Sequence, residues 1–276
     1  MNILFCGDNK IQDGLLISII SLMKYANESL KIYVLTASSF AGSKKYVPIS
    51  DKSIKLLNML IKQQNVESSV VKIDITELTE RVPPKANQNT RFTPNCMLRL
   101  YADEVDSLPD KILYLDTDVV CCSDFSDFYN QDISDYEVAG ALDRYGKWLF
   151  HNEYLFFDYI NSGVLLLNLK AIRKSGLFTK CRLLCQNKTM FMPDQSAINK
   201  LSVSKKITKK KYNEQNKLTD NTVFRHFTTK FKFFPYIRII SIKPWETQKD
   251  YKELNNAQFE DVIDNYQLQV RRFQNE

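Results

Sequence analysis

The sequence predicts an α/β protein with one mainly parallel, doubly wound sheet, and three observations predict this fold. Strand-like apolar runs alternate with amphipathic helical segments through the first half of the chain. Residues 112–115 are apolar without a polar break, as in a central strand covered on both faces. Asp116 and Asp118 follow that strand directly, and ligands of open α/β sheets bind at such strand ends.

The elements of the first half follow from the spacing of apolar residues. Two helices are predicted: the first has Leu16, Ile19, Ile20 and Met23 on one face, and the second contains the apolar residues Ile54, Leu57, Met59 and Ile61. Short apolar runs between them predict strands, and Pro83-Pro84 predicts a loop. The predicted order is strand 2–6, helix 13–25, strand 30–36, helix 51–64, strand 70–75, helix 95–106 and strand 112–115.

The second half is less regular. Strands are predicted at 136–142 and 159–169, and Asn168 is a candidate cap for the helix that follows. Gly176-Leu177 predicts a break in that helix, which continues to residue 185. Further helices are predicted at 194–201, after a proline, and beyond Trp245. Because no repeat and no clear linker interrupts the chain, we expect one domain over residues 1–276.

Composition narrows the class of protein. No apolar run reaches the length of a transmembrane helix, and the N-terminal segment is typical of a first strand rather than a signal peptide. These features predict a cytoplasmic protein. The six cysteines form no metal-binding pattern, and we expect reduced thiols, with Cys181 and Cys185 as packing residues.

The charge is unevenly distributed. Residues 200–243 hold twelve Lys or Arg against two acids, whereas the rest of the chain has 26 basic and 30 acidic residues. This basic segment could face phosphates, an anionic acceptor or a membrane surface. A solvated lysine loop at 205–211 is the alternative interpretation.

Asp116 and Asp118 predict a metal site. Burying two uncompensated carboxylates costs several kcal/mol, so we expect a positive group against them. Two hard oxygen donors on a short turn suit Mg²⁺ or Mn²⁺, with waters and phosphate oxygens completing the coordination. An aspartyl phosphatase with Asp116 as nucleophile is an alternative. It is disfavoured because the chain has no Asp-Asp pair for Mg²⁺ and because the Asp-x-Asp motif follows several strands and helices instead of the first strand.

Other polar positions allow two interpretations each. Asp8 follows the first strand and can accept hydrogen bonds from a base or ribose, but Cys6-Gly7-Asp8 is not a dinucleotide-binding fingerprint. His226 is one of two histidines, and spacing leaves open whether it is a metal ligand or a structural residue. Asn161-Ser162-Gly163 and Asp194-Gln195 suit a hydroxyl-rich ligand, or else ordinary turn and helix-cap chemistry.

Taken together and in order, these segments resemble the family 8 glycosyltransferases, the retaining galactosyl- and glucosyltransferases of bacterial surface polysaccharides and their glycogenin-like relatives. The resemblance runs from Asn2 to Trp245. It implies a GT-A fold with a Rossmann-like sheet, a UDP-glucose or UDP-galactose donor, a glycan or glycolipid acceptor, and Mn²⁺, with Mg²⁺ as an alternative. It also implies a nucleotide-binding half at about 1–120, a sugar and acceptor half at about 121–245, and a C-terminal helix at 246–276.

The resemblance carries roles onto positions of the nucleotide half. Cys6-Gly7-Asp8 is similar to the segment that holds the uracil or ribose, and Arg99 to an arginine that contacts the donor. Asp116-Thr117-Asp118 is similar to the metal-binding Asp-x-Asp, with Thr117 beside the donor. His226 is similar to the third protein ligand of the metal. Lys10-Ile11 stands where the family commonly has Asn and Tyr, so this chain departs from the pattern at the base.

In the sugar half, Asp143 and Asn161 are similar to residues that line the transferred sugar. Asp194-Gln195 is similar to the catalytic pair, with Gln195 beneath the anomeric carbon. Lys243 is similar to a lysine that reaches the diphosphate. An insertion at 231–242 separates it from His226, which makes Lys230 a rival for that contact.

The implied reaction is same-face attack on an oxocarbenium-like centre, with the amide oxygen of Gln195 stabilising that centre, since a neutral amide is a poor nucleophile. Peripheral association with the cytoplasmic membrane is compatible with the basic segment, and no nucleic-acid partner is expected. A non-enzymatic function is the alternative: residues 200–243 would then bind nucleic acid or another anionic polymer. Its aromatic residues would be Tyr212, Phe231, Phe233 and Phe234.

Overall fold

A seven-stranded sheet forms the centre of the fold. The computed structural model describes residues 1–88, 94–144, 146, 158–228, 230–232, 238–240, 243–245 and 257–275. The strands in these ranges are β1 (Asn2–Cys6), β2 (Lys31–Thr36), β3 (Ser39–Ala41), β4 (Lys44–Tyr46), β5 (Ser69–Asp74), β6 (Lys111–Leu115), β7 (Val119–Cys121), β8 (Val138–Leu142), β9 (Ile160–Asn168), β10 (Lys205–Thr208), β11 (Phe224–His226), β12 (Lys230–Lys232) and β13 (Arg238–Ile240).

Helices connect most of these strands. The α-helices are α1 (Gln12–Tyr25), α2 (Asp51–Gln64), α3 (Thr76–Arg81), α4 (Ser126–Tyr129), α5 (Leu169–Ser175), α6 (Leu177–Asn187), α7 (Pro193–Leu201) and α8 (Ala257–Asn275). A long 3₁₀ helix spans Pro94–Glu104, and single 3₁₀ turns occur at Asn9–Ile11, Lys85–Asn87 and Lys210–Tyr212. The assignment of residues 1–276 to one domain, with its two halves and C-terminal helix, stays a prediction.

The sheet order is β10-β8-β9-β6-β1-β2-β5. Strand β9 runs antiparallel to both of its neighbours, and every other adjacent pair is parallel. Alternate residues of β6 enter two different core clusters, since Leu113 and Leu115 pack on one face of the sheet and Ile112 and Tyr114 on the other. The prediction of a mainly parallel sheet covered by helices on both faces is confirmed.

The helix predicted at 95–106 is a 3₁₀ helix rather than an α-helix. Arginine side chains take several of its carbonyls: Arg99 Nε donates to the Cys96 carbonyl over 2.9 Å, and Arg173 Nε to the Asp103 carbonyl over 3.1 Å. The guanidinium of Arg182 also donates to the Leu100 carbonyl. The Cys96 and Leu100 carbonyls are acceptors that the i to i−4 bonds of an α-helix would use. The segment therefore follows from long-range side-chain contacts that apolar spacing does not reveal.

Several smaller elements were not predicted. Strands β3 and β4 form a hairpin, and β7 pairs with β11 away from the main sheet. The insertion predicted at 231–242 contributes to a second antiparallel pair, β12 with β13, and residues 233–237 and 241–242 lie outside the described part. The C-terminal helix predicted at 246–276 is α8, with residues 246–256 and 276 outside the described part. Across the described ranges, no helix has both the length and the apolar character that crossing a membrane requires.

The end of β9 is fixed by a helix cap. Asn168 Oδ1 accepts a hydrogen bond from the Ala171 amide at the start of α5 over 3.0 Å, which confirms the predicted cap. Asn168 Nδ2 also donates to the Ile133 carbonyl over 3.0 Å. Gly176, with φ of 68°, ends α5 in the left-handed conformation and confirms the predicted break.

We expect the Asn168→Ala change to lower the free energy of unfolding by about 1 kcal/mol, because it removes the cap of α5. Urea unfolding monitored by circular dichroism measures the change. Asn168→Asp is the matched control, since its carboxylate can still accept from the Ala171 amide. Equal stability of the alanine variant and the wild-type protein would show that the cap contributes nothing.

Candidate functional site

The two aspartates lie at the carboxyl end of β6, and a distant strand brings His226 to them. Strand β11 pairs antiparallel with β7, which begins one residue after Asp118, and places His226 opposite Val119. The Phe227 amide donates to the Asp118 carbonyl over 3.0 Å, which fixes this register. Side chains separated by more than a hundred residues of sequence therefore meet through one short ladder.

Asp116, Asp118 and His226 form a candidate metal site. Each offers one ligand atom, and these atoms all lie within 4.8 Å of one another. His226 Nε2 is 3.3 Å from Asp118 Oδ1 and 3.7 Å from Asp116 Oδ2. Two carboxylate oxygens and one imidazole nitrogen form a donor set that suits a divalent cation such as Mn²⁺ or Mg²⁺. The donor chemistry therefore fits the predicted metal.

Asp116 is held by groups on its far side. Arg99 lies 2.8 Å from Asp116 Oδ1, and the Tyr114 hydroxyl donates to the same oxygen over 2.6 Å. Both partners are buried, and the Arg99 guanidinium carbon stacks 4.0 Å from the centre of the Tyr114 ring. The other oxygen, Oδ2, is the one near His226.

Arg99 has protein partners for all three of its nitrogens. Besides Asp116, it contacts Asp194 Oδ2 over 3.2 Å, the Ser162 carbonyl and the Cys96 carbonyl. This geometry assigns Arg99 to fixing Asp116 relative to Asp194. Its predicted contact with a donor stays a prediction.

Lys243 and His226 keep Asp118 ionised. Burial by itself raises the pKa of Asp118, but the Lys243 ammonium and the His226 imidazole outweigh it and hold that pKa below its ordinary value. Lys243 Nζ forms an ion pair with Asp118 Oδ2. Lys230, the rival for the predicted phosphate contact, lies in β12, and its side chain is outside the described part.

Gly163 makes room for the imidazole of His226. A Cβ at this position would lie 2.0 Å from His226 Cε1 and 2.6 Å from Nδ1, closer than any packed carbon atoms. The ring therefore rests directly against the backbone of β9. The Gly163 carbonyl also accepts a hydrogen bond from the Asp116 amide over 2.8 Å, so β9 contacts two members of the candidate metal site.

A network of buried polar side chains extends from His226 toward the residues that were predicted to line the sugar. His226 Nδ1 lies 3.2 Å from Asn213 Oδ1, and Asn213 Nδ2 donates to Asn161 Oδ1 over 2.9 Å. Asn161 Nδ2 donates to Asp143 Oδ2 over 2.7 Å, and Gln195 Nε2 donates to the same oxygen over 3.2 Å. Four predicted site residues are thus joined through one that was not predicted, Asn213.

Asp194 and Gln195 lie in the first turn of α7, beside Ser162. Gln195 Oε1 accepts from the Ser162 amide over 2.9 Å and from its hydroxyl over 3.3 Å. Asp194 Oδ2 accepts from the same hydroxyl over 3.1 Å and contacts Arg99. The first-turn position after Pro193 agrees with the cap interpretation of Asp194, and the pair also belongs to the network.

Asp8 is buried at the end of β1 and accepts a hydrogen bond from the Lys10 amide over 3.1 Å, so it caps a 3₁₀ turn. The Gly7 amide donates to the Leu35 carbonyl over 3.0 Å. Burial raises the pKa of the Cys6 thiol, which keeps it neutral. The carbonyl of Thr117 accepts from the Ser18 hydroxyl over 3.2 Å. These contacts fix the four residues within the protein, and their predicted contacts with a sugar donor stay predictions.

The basic segment does not present Tyr212 for stacking on a base. Tyr212 is buried, and its ring stacks on Phe128 with centroids 4.6 Å apart. Lys205 and Lys210 form ion pairs with Asp158 and Glu214 over 2.8 and 3.0 Å. The side chains of Phe231, Phe233 and Phe234 lie outside the described part. Of the four aromatic residues in the alternative of a nucleic-acid binder, the one whose side chain is described, Tyr212, is therefore not exposed for base stacking.

Some residues of the site gave no signal in the sequence. Asn213 follows a run of lysines, as loop residues often do, yet its side chain is fully buried. Tyr114 looks like an ordinary aromatic strand residue. A buried amide after a basic turn is not distinguishable from an exposed one by composition, so these roles depend on long-range contacts.

Comparison with known proteins gives a consistent family. The model of glycosyl transferase family 8 matches residues 2–249. A protein of Haemophilus influenzae (strain Rd) that is provisionally named a glycosyltransferase is 24% identical over 190 residues, covering 65% of this chain and 52% of that protein. The chain thus spans about half the length of this curated relative.

Solved structures show the same fold. An active-site mutant of LgtC has a TM-score of 0.70 at 19% identity, and the galactosyltransferase LgtC in complex with donor and acceptor sugar analogs has 0.68, each covering 96% of both chains. The glycosyltransferase GlyE of Streptococcus pneumoniae TIGR4 in its apo form has 0.64 at 17% identity, covering 99% of this chain and 62% of that one.

The likeness to LgtC shows that the fold is of the GT-A type, as predicted. The candidate metal site at Asp116 and Asp118 occupies the strand end where the Asp-x-Asp motif was predicted. The family match extends over nearly the whole length and includes every candidate ligand and network residue described above. The chain therefore belongs to glycosyl transferase family 8.

Proposed function

We propose that this protein is a metal-dependent retaining glycosyltransferase. It moves a hexose, glucose or galactose, from a UDP-sugar to a glycan or glycolipid acceptor in the synthesis of bacterial cell-surface polysaccharide. The observation that carries the proposal is the convergence of Asp116, Asp118 and His226 with the hydrogen-bonded network of Asp143 and Gln195. Membership of the family supports it, as does the fold shared with LgtC, whose complex holds donor and acceptor sugar analogs.

The protein would act in the cytoplasm under this proposal. A net charge of +6 favours contact with an anionic membrane surface, so peripheral attachment to the cytoplasmic membrane is part of the same proposal. A glycolipid acceptor would be reached there without a membrane-spanning segment.

Asp116, Asp118 and His226 would hold the divalent cation, which we propose is Mn²⁺, with Mg²⁺ as the alternative. When bound, such a cation supplies positive charge opposite the diphosphate of the leaving UDP. The arrangement of the protein itself prepares this site, because Arg99 and Tyr114 hold one oxygen of Asp116 and leave the other directed toward His226.

Lys243 would provide a second positive charge for the diphosphate. Its ammonium already lies at the candidate metal site, in contact with Asp118. A lysine is a mobile point charge on a long stem, so it can exchange a carboxylate for a phosphate oxygen. Under this proposal, Lys243 pairs with Asp118 before the donor binds and with the diphosphate afterwards.

The sugar would lie beside Asp143, Asn161 and Gln195. Gln195 is neutral and its amide oxygen accepts hydrogen bonds from Ser162, so we do not expect a covalent intermediate on it. Under this proposal the Asp143 carboxylate would supply negative charge on this side of the site, and the Gln195 oxygen, which Ser162 holds in place, would add partial negative charge. Together they would stabilise an oxocarbenium-like centre. As the bond between the anomeric carbon and the phosphate oxygen breaks, the acceptor hydroxyl would attack from the same face and its proton would pass to the departing phosphate oxygen, so the anomeric configuration is retained.

The test of this function is slow hydrolysis of nucleotide sugars. Purified protein is incubated with UDP-glucose, UDP-galactose or GDP-mannose, with Mn²⁺ or with a chelator, and UDP or GDP release is measured. We expect UDP release from one of the two UDP-hexoses, dependent on Mn²⁺. Release of UDP that is undiminished by the chelator, or release from GDP-mannose only, would contradict the proposal.

Asp118→Asn is expected to weaken Mn²⁺ binding by at least about 100-fold. Loss of a residue that only hydrogen-bonds to a metal ligand weakens metal affinity by up to about 100-fold, and loss of a ligand should cost at least as much. It removes a charged ligand and the partner of Lys243. Electron paramagnetic resonance of free Mn²⁺ gives the dissociation constant. Asp124→Asn is the control, because Asp124 is an exposed acid that accepts from Asn27 and Ser126 away from the site. Wild-type affinity in the Asp118 variant would refute the ligand assignment.

Gly163→Ala is expected to displace the His226 ring and weaken Mn²⁺ binding by roughly tenfold or more, with the fold retained. Gly176→Ala is the control: its left-handed backbone makes alanine cost about 1 kcal/mol of stability, and no atom lies within 4 Å of the added Cβ. We therefore expect weaker Mn²⁺ binding in Gly163→Ala and a lower unfolding midpoint, with unchanged Mn²⁺ binding, in Gly176→Ala. Equal Mn²⁺ affinity in both would count against contact between Gly163 and the metal ligand.

A further inference from the structure

Four side chains form a continuous buried path between the candidate metal site and the sugar side. The path runs from His226 through Asn213 and Asn161 to Asp143, with distances of 3.2, 2.9 and 2.7 Å between successive polar atoms. Asn213 is fully buried, and the other three are each less than a tenth exposed. Such groups must satisfy one another, because solvent does not reach them.

The direction of every hydrogen bond along this path is determined. A carboxylate can only accept, so Asn161 must turn its amide nitrogen toward Asp143. The backbone amide of Gly163, which can only donate, binds Asn161 Oδ1 over 2.9 Å and fixes the same orientation independently. Asn161 Oδ1 can then only accept from Asn213, which turns the oxygen of Asn213 toward His226.

We propose that Asn213 is a positioning residue that holds His226 in the tautomer with its proton on Nδ1. An amide oxygen facing Nδ1 can only accept a hydrogen bond, so Nδ1 must carry the proton. Nε2 then carries the lone pair, and Nε2 is the nitrogen that lies near Asp116 and Asp118. The proposal rests on the proposed function only in taking Nε2 as a metal ligand.

Without Asn213, the neighbouring carboxylates would favour the wrong tautomer. Asp118 Oδ1, 3.3 Å from Nε2, attracts a proton to that nitrogen, and a protonated Nε2 cannot bind a cation. Asn213 opposes this through a fixed acceptor on the other side of the ring. Because Asn213 also donates to Asn161, the same residue ties the orientation of the metal ligand to the polarity of the sugar-side network.

The test uses two substitutions of Asn213 with different chemistry. Asn213→Leu removes both hydrogen bonds at similar volume, whereas Asn213→Asp keeps an acceptor for His226 Nδ1 and loses the donor to Asn161. We expect the leucine variant to bind Mn²⁺ roughly 10- to 100-fold more weakly. We expect the aspartate variant to stay within about threefold of the wild-type affinity, since the acceptor that fixes the ring is kept.

The control for a general loss of structure is Asn87→Leu. Asn87 is also fully buried, and it donates to the Cys185 and Lys188 carbonyls over 2.6 and 2.7 Å and accepts from the Met190 amide over 2.8 Å. Its loss should lower the unfolding midpoint, as in Asn213→Leu, with no change in Mn²⁺ affinity.

A spectroscopic measurement reads the tautomer directly. The chain has two histidines, so ¹⁵N-histidine labelling with and without His151→Gln assigns the ring of His226. In the metal-free protein, at a pH at which the ring is neutral, we expect a protonated Nδ1 and an unprotonated Nε2, and loss of this pattern in Asn213→Leu. An Nε2-protonated ring in the wild-type protein, or wild-type Mn²⁺ affinity in Asn213→Leu, would overturn the proposal.

These readouts need no sugar donor. If the tautomer and affinity pattern hold while no UDP-sugar is hydrolysed, the proposed function fails and the role of Asn213 stands. If UDP-sugar hydrolysis is Mn²⁺-dependent while Asn213→Leu binds Mn²⁺ normally, the role of Asn213 fails and the proposed function stands.

Discussion

The site depends on the compensation of two carboxylates at the end of a buried strand. Strand β6 is covered on both faces, and Asp116 and Asp118 follow it at the point where the sheet stops. A buried carboxylate without a partner is costly, so the surrounding chain is organised around neutralising this pair. Arg99 and Tyr114 approach from one side, and Lys243 and His226 from the other.

Each partner comes from a different part of the chain. Arg99 comes from a 3₁₀ helix whose carbonyls are held by other arginines, and His226 from the short strand β11, which pairs with β7 outside the main sheet. Asp116 and Asp118 are partly buried, so removal of one partner would leave charge unbalanced where solvent screens it less than at the surface, which costs more than an exposed ion pair contributes. The same carboxylates that would hold a cation therefore also connect distant segments of the fold.

The fold was predictable where structure follows from local pattern. The core strands and the two long helices of the first half were predicted to within one or two residues because their apolar runs and spacing are determined locally. The cap at Asn168 and the break at Gly176 were predictable for the same reason. The 3₁₀ form of Pro94–Glu104 was not, since it reflects contacts with Arg173 and Arg182 far along the chain.

Some residues of the candidate site could likewise be predicted from the sequence, and others could not. Asp116 and Asp118 stand out in the sequence as charges at the end of an apolar run. From spacing alone, His226 could not be assigned to them, because only the β7–β11 ladder brings it near, and the family resemblance supplied that assignment. Asn213 was missed altogether. A lysine-rich turn gives no sign of a buried amide, and the side-chain partners of Asn213 lie in two other elements, β9 and β11.

The reversed strand β9 sets the geometry of both halves of the site at once. The side chain of Ser162 contacts Asp194 and Gln195, while its neighbours Asn161 and Gly163 face Asn213 and His226. Successive residues of a strand point to opposite sides, so a slip of one residue would exchange the two sets of contacts. The distance between the candidate metal site and the residues proposed to line the sugar is therefore set by the register of β9. A one-residue insertion or deletion in this strand would displace both sets of contacts at once, whereas a change in a surface loop would leave them in place.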